Sequence, residues 1–158
     1  MKIKIISVGK IKEKYFKNAI DEYSKRISKY SKLEFLEVPD EKAPESLSDK
    51  DMEIIKDKEG EKILSKINNE YIIVLDIFGN QLDSIDLSKK IIDIFSYQSS
   101  DIVFIIGGSL GLSKQVIDKA NLKLSFSKLT FPHQLMKVLL LEQIYRSFRI
   151  INNEPYHK

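Results

Sequence analysis

Three glycines in five positions, Gly107, Gly108 and Gly111, follow directly on an apolar run, Ile102 to Ile106. Glycine accepts positive φ and lets a ligand or a second backbone come close. The apolar run is short, β-branched or aromatic, and bounded by polar residues, so it reads as a strand buried on both faces, as inside a parallel sheet. Open α/β sheets hold their ligands at the carboxyl ends of such strands. A ligand-cradling turn and a plain chain-reversing turn both fit this stretch, because a lone Gly-rich turn is a weak signal. A second loop, Ser127 to His133 (SKLTFPH), follows the next strand. Two loops of ligand-binding type therefore leave the same end of the sheet late in the chain.

Other chemistries are excluded by residue type. The chain has two histidines, His133 and His157, and no cysteine. That rules out a histidine-rich metal site, thiolate ligation, a cysteine nucleophile and disulfides. The turn at Gly9 after the first strand lacks G-x-G-x-x-G, and neither a G-x-x-x-x-G-K-[ST] nor a G-x-S-x-G motif occurs.

The elements that position the loops come from periodicity. Strands are expected at Ile3–Val8, Leu33–Val38, Tyr71–Phe78, Ile102–Ile106 and Leu122–Phe126. Helices are expected over 14–30, 49–68, 84–97, 113–120 and 132–151. Ser48, Ser84 and Thr130 are the expected N-caps, and Pro132 sits where a first-turn proline is tolerated. Gly79-Asn80-Gln81 reads as a turn. Pro39–Lys50, with two prolines and many charges, reads as a long loop that could act as a mobile flap over a site. The tyrosines of the first helix read as core in preference to a base-stacking stripe. Strand and helix alternate five times, so the expected fold class is α/β, with a mostly parallel sheet and helices on both faces. The last helix is apolar on more than one side: Leu140, Leu141, Ile144, Tyr145, Phe148 and Ile151 form one face, and Met136, Leu139 and Ile150 lie elsewhere. A second subunit covering it in a homodimer and burial within one chain are the two readings of that surface.

At 158 residues, 42% hydrophobic and 31% charged, the chain is the size and composition of one domain, 1–158. No apolar run approaches the ~20 residues of a membrane span, and MKIKIISVGK is too short and too charged for a signal peptide, so a cytoplasmic protein is expected. The net charge of +3 is unevenly spread: 10 Lys/Arg against 3 Asp/Glu in residues 1–32, and 4 against 11 in residues 33–61. A nucleic-acid partner and an ordinary solvated lysine-rich face both account for the basic end.

Taken together, IIGGSLG at 105–111, LSFSKLTFPHQLMKVLLLEQIYRSF at 124–148 and the terminal Tyr156-His157-Lys158 resemble the RlmH family, the small SPOUT-class RNA methyltransferases. The likeness extends to VGK at 8–10 and VPDEKAPE at 38–45, so it covers essentially the whole chain. The resemblance implies a C-terminal deep trefoil knot and a homodimer. It implies an enzyme without a metal, with S-adenosylmethionine as cofactor, that methylates N3 of a pseudouridine in large-subunit ribosomal RNA on the assembled ribosome. By the same resemblance the cofactor would be held by Leu75, Gly107, Gly108, Phe126, Ser127, Lys128, Leu129, Thr130 and Phe131. Tyr156 and His157 would fold over the site and position the target base, with His157 either its base or a hydrogen-bond donor. His133 is expected to cap or pack at the start of the last helix. Arg146, Arg149, Lys10, Lys12 and Lys14 are either phosphate contacts or ordinary surface charge. The competing readings are a non-catalytic α/β RNA-binding module and a small-molecule methyltransferase or nucleotide-binding regulator on the same sheet.

Overall fold

Strands that are apolar on both sides need cover on both faces. In the computed structural model, which describes residues 1–41 and 44–158, that cover is helical. The elements alternate strictly: β1 (Lys2–Val8), α1 (Lys14–Ile27), β2 (Lys32–Val38), α2 (Asp49–Leu64), β3 (Tyr71–Gln81), α3 (Ser84–Tyr97), β4 (Asp101–Ile106), α4 (Lys114–Lys119), β5 (Leu122–Ser125) and α5 (His133–Ile151). The strands form one sheet in the order β2-β1-β4-β3-β5, and every neighbouring pair is parallel. The expected α/β class is the fold observed, with a sheet that is parallel throughout. β4 is its middle strand, buried from Ile102 to Ile106. α1, α3 and α5 cover one face, where Ile27, Ile91, Ile144 and Phe148 pack on Ile5, Ile73 and Phe104. α2 and α4 cover the other, where Ile63 and Val116 pack on Ile6, Val74 and Ile105. Tyr23 and Tyr30 of α1 pack against the core, whereas Tyr15 is exposed. α5 lies against both α1 and α3, and none of its residues is exposed, so much of its cover comes from its own chain.

Several local expectations are corrected. The segment 79–81 is not a turn that ends β3. Leu75 and Asn80 both pair with Leu124, and Gln81 pairs with Ser125, so the strand leaves the ladder over 76–79 and rejoins it. A Cβ on Gly79 would lie 2.6 Å from the Lys123 carbonyl carbon, so only glycine lets the strand return there. α3 is capped by Asp83, whose side chain accepts from the Asp86 amide, and not by Ser84. Ile85, expected to face inward with Ile91, Ile92 and Phe95, is exposed, and Leu87 and Ile94 join Ile91 inside. α5 starts at His133 after Pro132, with no side-chain cap from Thr130. The first two helices end earlier than expected, at Ile27 and Leu64. Ser48 caps α2 as expected, in a reciprocal capping box with Asp51. Of the Pro39–Lys50 loop, Lys42 and Ala43 lie outside the described residues. Among the described residues no helix is long and apolar enough to cross a membrane.

A buried ion pair joins β1 to the connection before β3. Lys4 Nζ meets the Glu70 carboxylate, their side chains are 5% and 7% exposed, and Lys4 also donates to the Lys66 carbonyl at 2.9 Å. Burial pushes the Glu70 carboxyl up, but Lys4 and the Asn68 amide outweigh it and hold it below the usual range. A carboxyl depressed on folding stabilises above its unfolded value of about 4.3, and that contribution is lost as pH falls through the folded value. Lys4→Met, which strands the carboxylate, is expected to lower unfolding free energy by about 3–5 kcal/mol in urea titrations, and Lys4→Met/Glu70→Leu to recover most of it.

Candidate active site

Because all five strands are parallel, their carboxyl ends share one edge of the sheet. There the excursion of β3, the glycine loop after β4 and the loop after β5 enclose a cleft of about 570 Å³, closed by the start of α5. The glycine loop folds on itself: the Gly111 amide donates to the Gly108 carbonyl at 3.1 Å, and Gly111 takes φ 84°. A Cβ on Gly107 would lie 3.0 Å from the Gly111 carbonyl carbon and 3.1 Å from Leu112. Ser113 then caps α4 by accepting from the Val116 amide. The loop after β5 is held by the Ser125 hydroxyl, which donates to the Ser127 carbonyl, and by the Ser127 hydroxyl, which accepts from the Leu129 amide, both at 3.0 Å.

Eight of the nine expected cofactor residues line this cleft: Leu75, Gly107, Gly108, Phe126, Ser127, Leu129, Thr130 and Phe131. Lys128 does not. It borders an adjoining hollow formed with Ile77, Phe78, Gly79, Asn80 and Gln81. Asp76, Ile77, Ser109, His133 and Met136 also line the cleft and were not expected to. Asp76 had a visible signal, a lone charge inside the apolar run YIIVLDIF. Its carboxylate accepts from the Phe78 amide at 3.1 Å and shapes the excursion. His133 packs at the helix start as expected, but there it also walls the cleft, its Nε2 3.2 Å from where a Cβ on Gly9 would lie. Among the described residues no group of three or more His, Asp and Glu side chains could hold a metal ion.

Tyr156 and His157 are not at the cleft of their own chain. After α5 the tail doubles back along the helix. Glu154 pairs with Arg149 and Tyr30, and Arg149 donates to the Pro155 carbonyl at 3.0 Å. The Tyr156 hydroxyl donates to Glu142 Oε1 at 3.0 Å, its ring edge-on to Tyr145 at 4.9 Å. His157 Nδ1 lies 3.2 Å from Arg146 Nη1. Glu142 is nine residues past His133, so the tail contacts sit ~13 Å along the helix from the cleft end. Arg146 and Arg149 are thus engaged within the chain. Lys10, Lys12 and Lys14 are exposed, and among the described residues they form no ion pair. Burial, then the hydrogen bond to Glu142, push the Tyr156 phenol up to about 12.

The family described as "Predicted SPOUT methyltransferase" matches residues 1–157. Over 159 aligned positions covering both chains completely, the sequence is 60% identical to "Ribosomal RNA large subunit methyltransferase H" of Clostridioides difficile. Over the same span it is 62% identical to "Putative ribosomal RNA large subunit methyltransferase H" of Methanococcus maripaludis. Among solved structures, a probable methylase family protein from Haemophilus influenzae superposes with a TM-score of 0.51 at 13% identity, over 96% of this chain and 66% of that one, a likeness of fold.

The Tyr156 environment can be checked by alkaline spectrophotometric titration. Tyr156→Phe is expected to remove a phenol that ionises near pH 12. Glu142→Gln removes the charge that holds the hydroxyl proton but not the burial, so Tyr156 should then ionise lower, yet still above the ordinary tyrosine value of about 10.

Proposed function

The chain belongs to the SPOUT methyltransferases, in the ribosomal RNA large subunit methyltransferase H group, and from that premise we propose that it uses S-adenosylmethionine to methylate N3 of a pseudouridine in large-subunit ribosomal RNA on the assembled ribosome. The observation that carries this reading is the meeting of eight expected cofactor residues in one cleft at the carboxyl edge of the sheet. The residues present fit the cofactor. The cleft volume is within the range of small-ligand sites, and Leu75, Phe126, Leu129, Phe131 and Met136 offer apolar walls for a nucleoside. Backbone groups of the glycine loop and the hydroxyls of Ser127 and Thr130 offer polar partners.

When bound, the cofactor supplies a sulfonium-linked methyl group that is reactive without further activation. The protein's task is then to align the ring nitrogen. That nitrogen belongs to an imide and must release its proton, so the site needs a proton acceptor or a path to water. Tyr156 and His157 are the residues we assign to the target base. Since they lie along α5, away from their own cleft, the working site combines the cleft of one subunit with the tail of its partner in a homodimer. In this reading the loops after β4 and before α5 form a deep trefoil knot. Lys10, Lys12 and Lys14, exposed between the end of β1 and the first residue of α1, would contact RNA phosphates. An RNA-binding module without chemistry would have no need of the cleft.

The test is methyl transfer from labelled S-adenosylmethionine to ribosomes that lack the modification, beside the same RNA stripped of protein. Transfer to ribosomes alone is expected, and transfer to neither by folded protein would overturn the assignment. Gly107→Trp, which fills the crowded turn, is expected to abolish transfer. Mixing Gly107→Trp with His157→Ala chains should restore activity, and no recovery on mixing would refute the shared site.

A further inference from the structure

The two ring nitrogens of His157 are not equivalent. Nδ1 lies 3.2 Å from Nη1 of Arg146. A guanidinium carries five N–H donors and no acceptor, and it is not deprotonated in proteins. In this contact Nδ1 is therefore the acceptor, and the proton of the neutral ring sits on Nε2. Among the described residues Nε2 has no hydrogen-bond partner, and His157 is exposed.

Arg146 is itself fixed. Its Nη2 and Nε donate to Glu142 Oε1 at 2.6 and 3.1 Å, and its guanidinium carbon stands 4.7 Å over the Tyr156 ring. The hydrogen bond and charge of Glu142 raise the guanidinium further. Glu142 also accepts from Gln143 Nε2 at 2.8 Å and from the Tyr156 hydroxyl. Of the two ring nitrogens, the one left to donate is Nε2.

We infer that Arg146 is a positioning residue that presents His157, through Nε2–H, as a hydrogen-bond donor to a carbonyl oxygen of the target imide, and not as the base that removes its proton. The inference rests on the proposed role of the tail. As the imide proton leaves to water, negative charge spreads from the ring nitrogen onto the flanking carbonyl oxygens. A fixed donor aimed at one of them stabilises that charge as it develops. Neither ring nitrogen is free to take the imide proton, since Nε2 already holds one and Nδ1 faces Arg146. The same polarity selects the ring. A base with an amino group in place of that carbonyl would meet Nε2–H with another donor, leaving both unpaired.

The test separates donation from proton abstraction. Glutamine sets an amide N–H near the Nε2 position but has no basic nitrogen, whereas asparagine sets its amide near Nδ1. On ribosomes with saturating cofactor, His157→Ala and His157→Asn are expected to lower kcat by about 10²–10³-fold, the cost of one missing charge-stabilising donor, while His157→Gln loses about tenfold or less. Arg146→Met should cost much less in the His157→Ala background than in the wild type, because it acts through His157. In the full-length protein with [15N]histidine, His157 should show a protonated Nε2 and an unprotonated Nδ1, whose signal moves in Arg146→Met. His157→Gln as inactive as His157→Ala, or a wild-type His157 protonated at Nδ1, would overturn the inference. Failure of the functional reading is seen separately, as absence of transfer by the wild type, and the nitrogen signals still decide the tautomer.

Discussion

Parallel pairing of β1, β4 and β3 is the constraint from which the rest follows. A parallel strand cannot return by a hairpin; it needs a crossover, and here each crossover is a helix. Every strand therefore ends at one edge of the sheet, and every helix begins there. β4, buried on both faces, contributes only apolar packing along its length and frees its glycine loop at that edge. The excursion within β3 and the loop after β5 are brought beside it by strand order and not by sequence proximity. The cleft is thus a product of sheet topology, and it sits on strand ends that the core holds rigid.

The same constraint separates the cleft from the tail. α5 starts at the cleft, where His133 and Met136 line it, and runs away from it for 19 residues. A tail that follows such a helix emerges at the far end, and it can return only by lying back along the helix. The contacts of Glu154 with Arg149, Tyr156 with Glu142 and His157 with Arg146 mark that return. Glu142 and Arg146, on successive turns, provide an ion pair on which the tail docks. The apolar part of the anchorage is aromatic, with Tyr156 against Tyr145, and Tyr30 stacked on Phe148 at 5.4 Å.

How much of this was legible in sequence depends on how local each determinant is. β4 and its glycine loop could be read because a short apolar run and three glycines carry their own meaning. The capping box at Ser48 was equally local. Ser84 and Asp83 are adjacent good caps, and only the hydrogen bond from the Asp86 amide to Asp83 decides between them, so the reading slipped by one residue. Gly79-Asn80-Gln81 has turn chemistry, yet its conformation is set by Leu124 and Lys123, more than 40 positions away. Lys128 shares a loop with six cleft residues but borders a different hollow, a difference that neighbouring positions in a sequence do not encode. Arg146 read as either a phosphate contact or ordinary surface charge, because Tyr156 and His157, which it meets, come from a tail whose return along α5 no local pattern encodes.

The start of α3 and the tail are nonetheless joined by one set of hydrogen bonds. The strand whose excursion walls the cleft rejoins the ladder at Asn80 and ends at Gln81, and α3 begins three residues later at Ser84. The Ser84 hydroxyl donates to Gln143 Oε1 at 2.7 Å, and the amide nitrogen of the same side chain donates to Glu142. Glu142 then receives Arg146 and Tyr156, and Arg146 reaches His157. Gln143 can serve both partners only with its amide turned one way, since a hydroxyl proton on one side and a carboxylate on the other fix which end is oxygen. Most of these groups are only partly buried, so each bond is worth about 1 kcal/mol and the arrangement can be released as well as held.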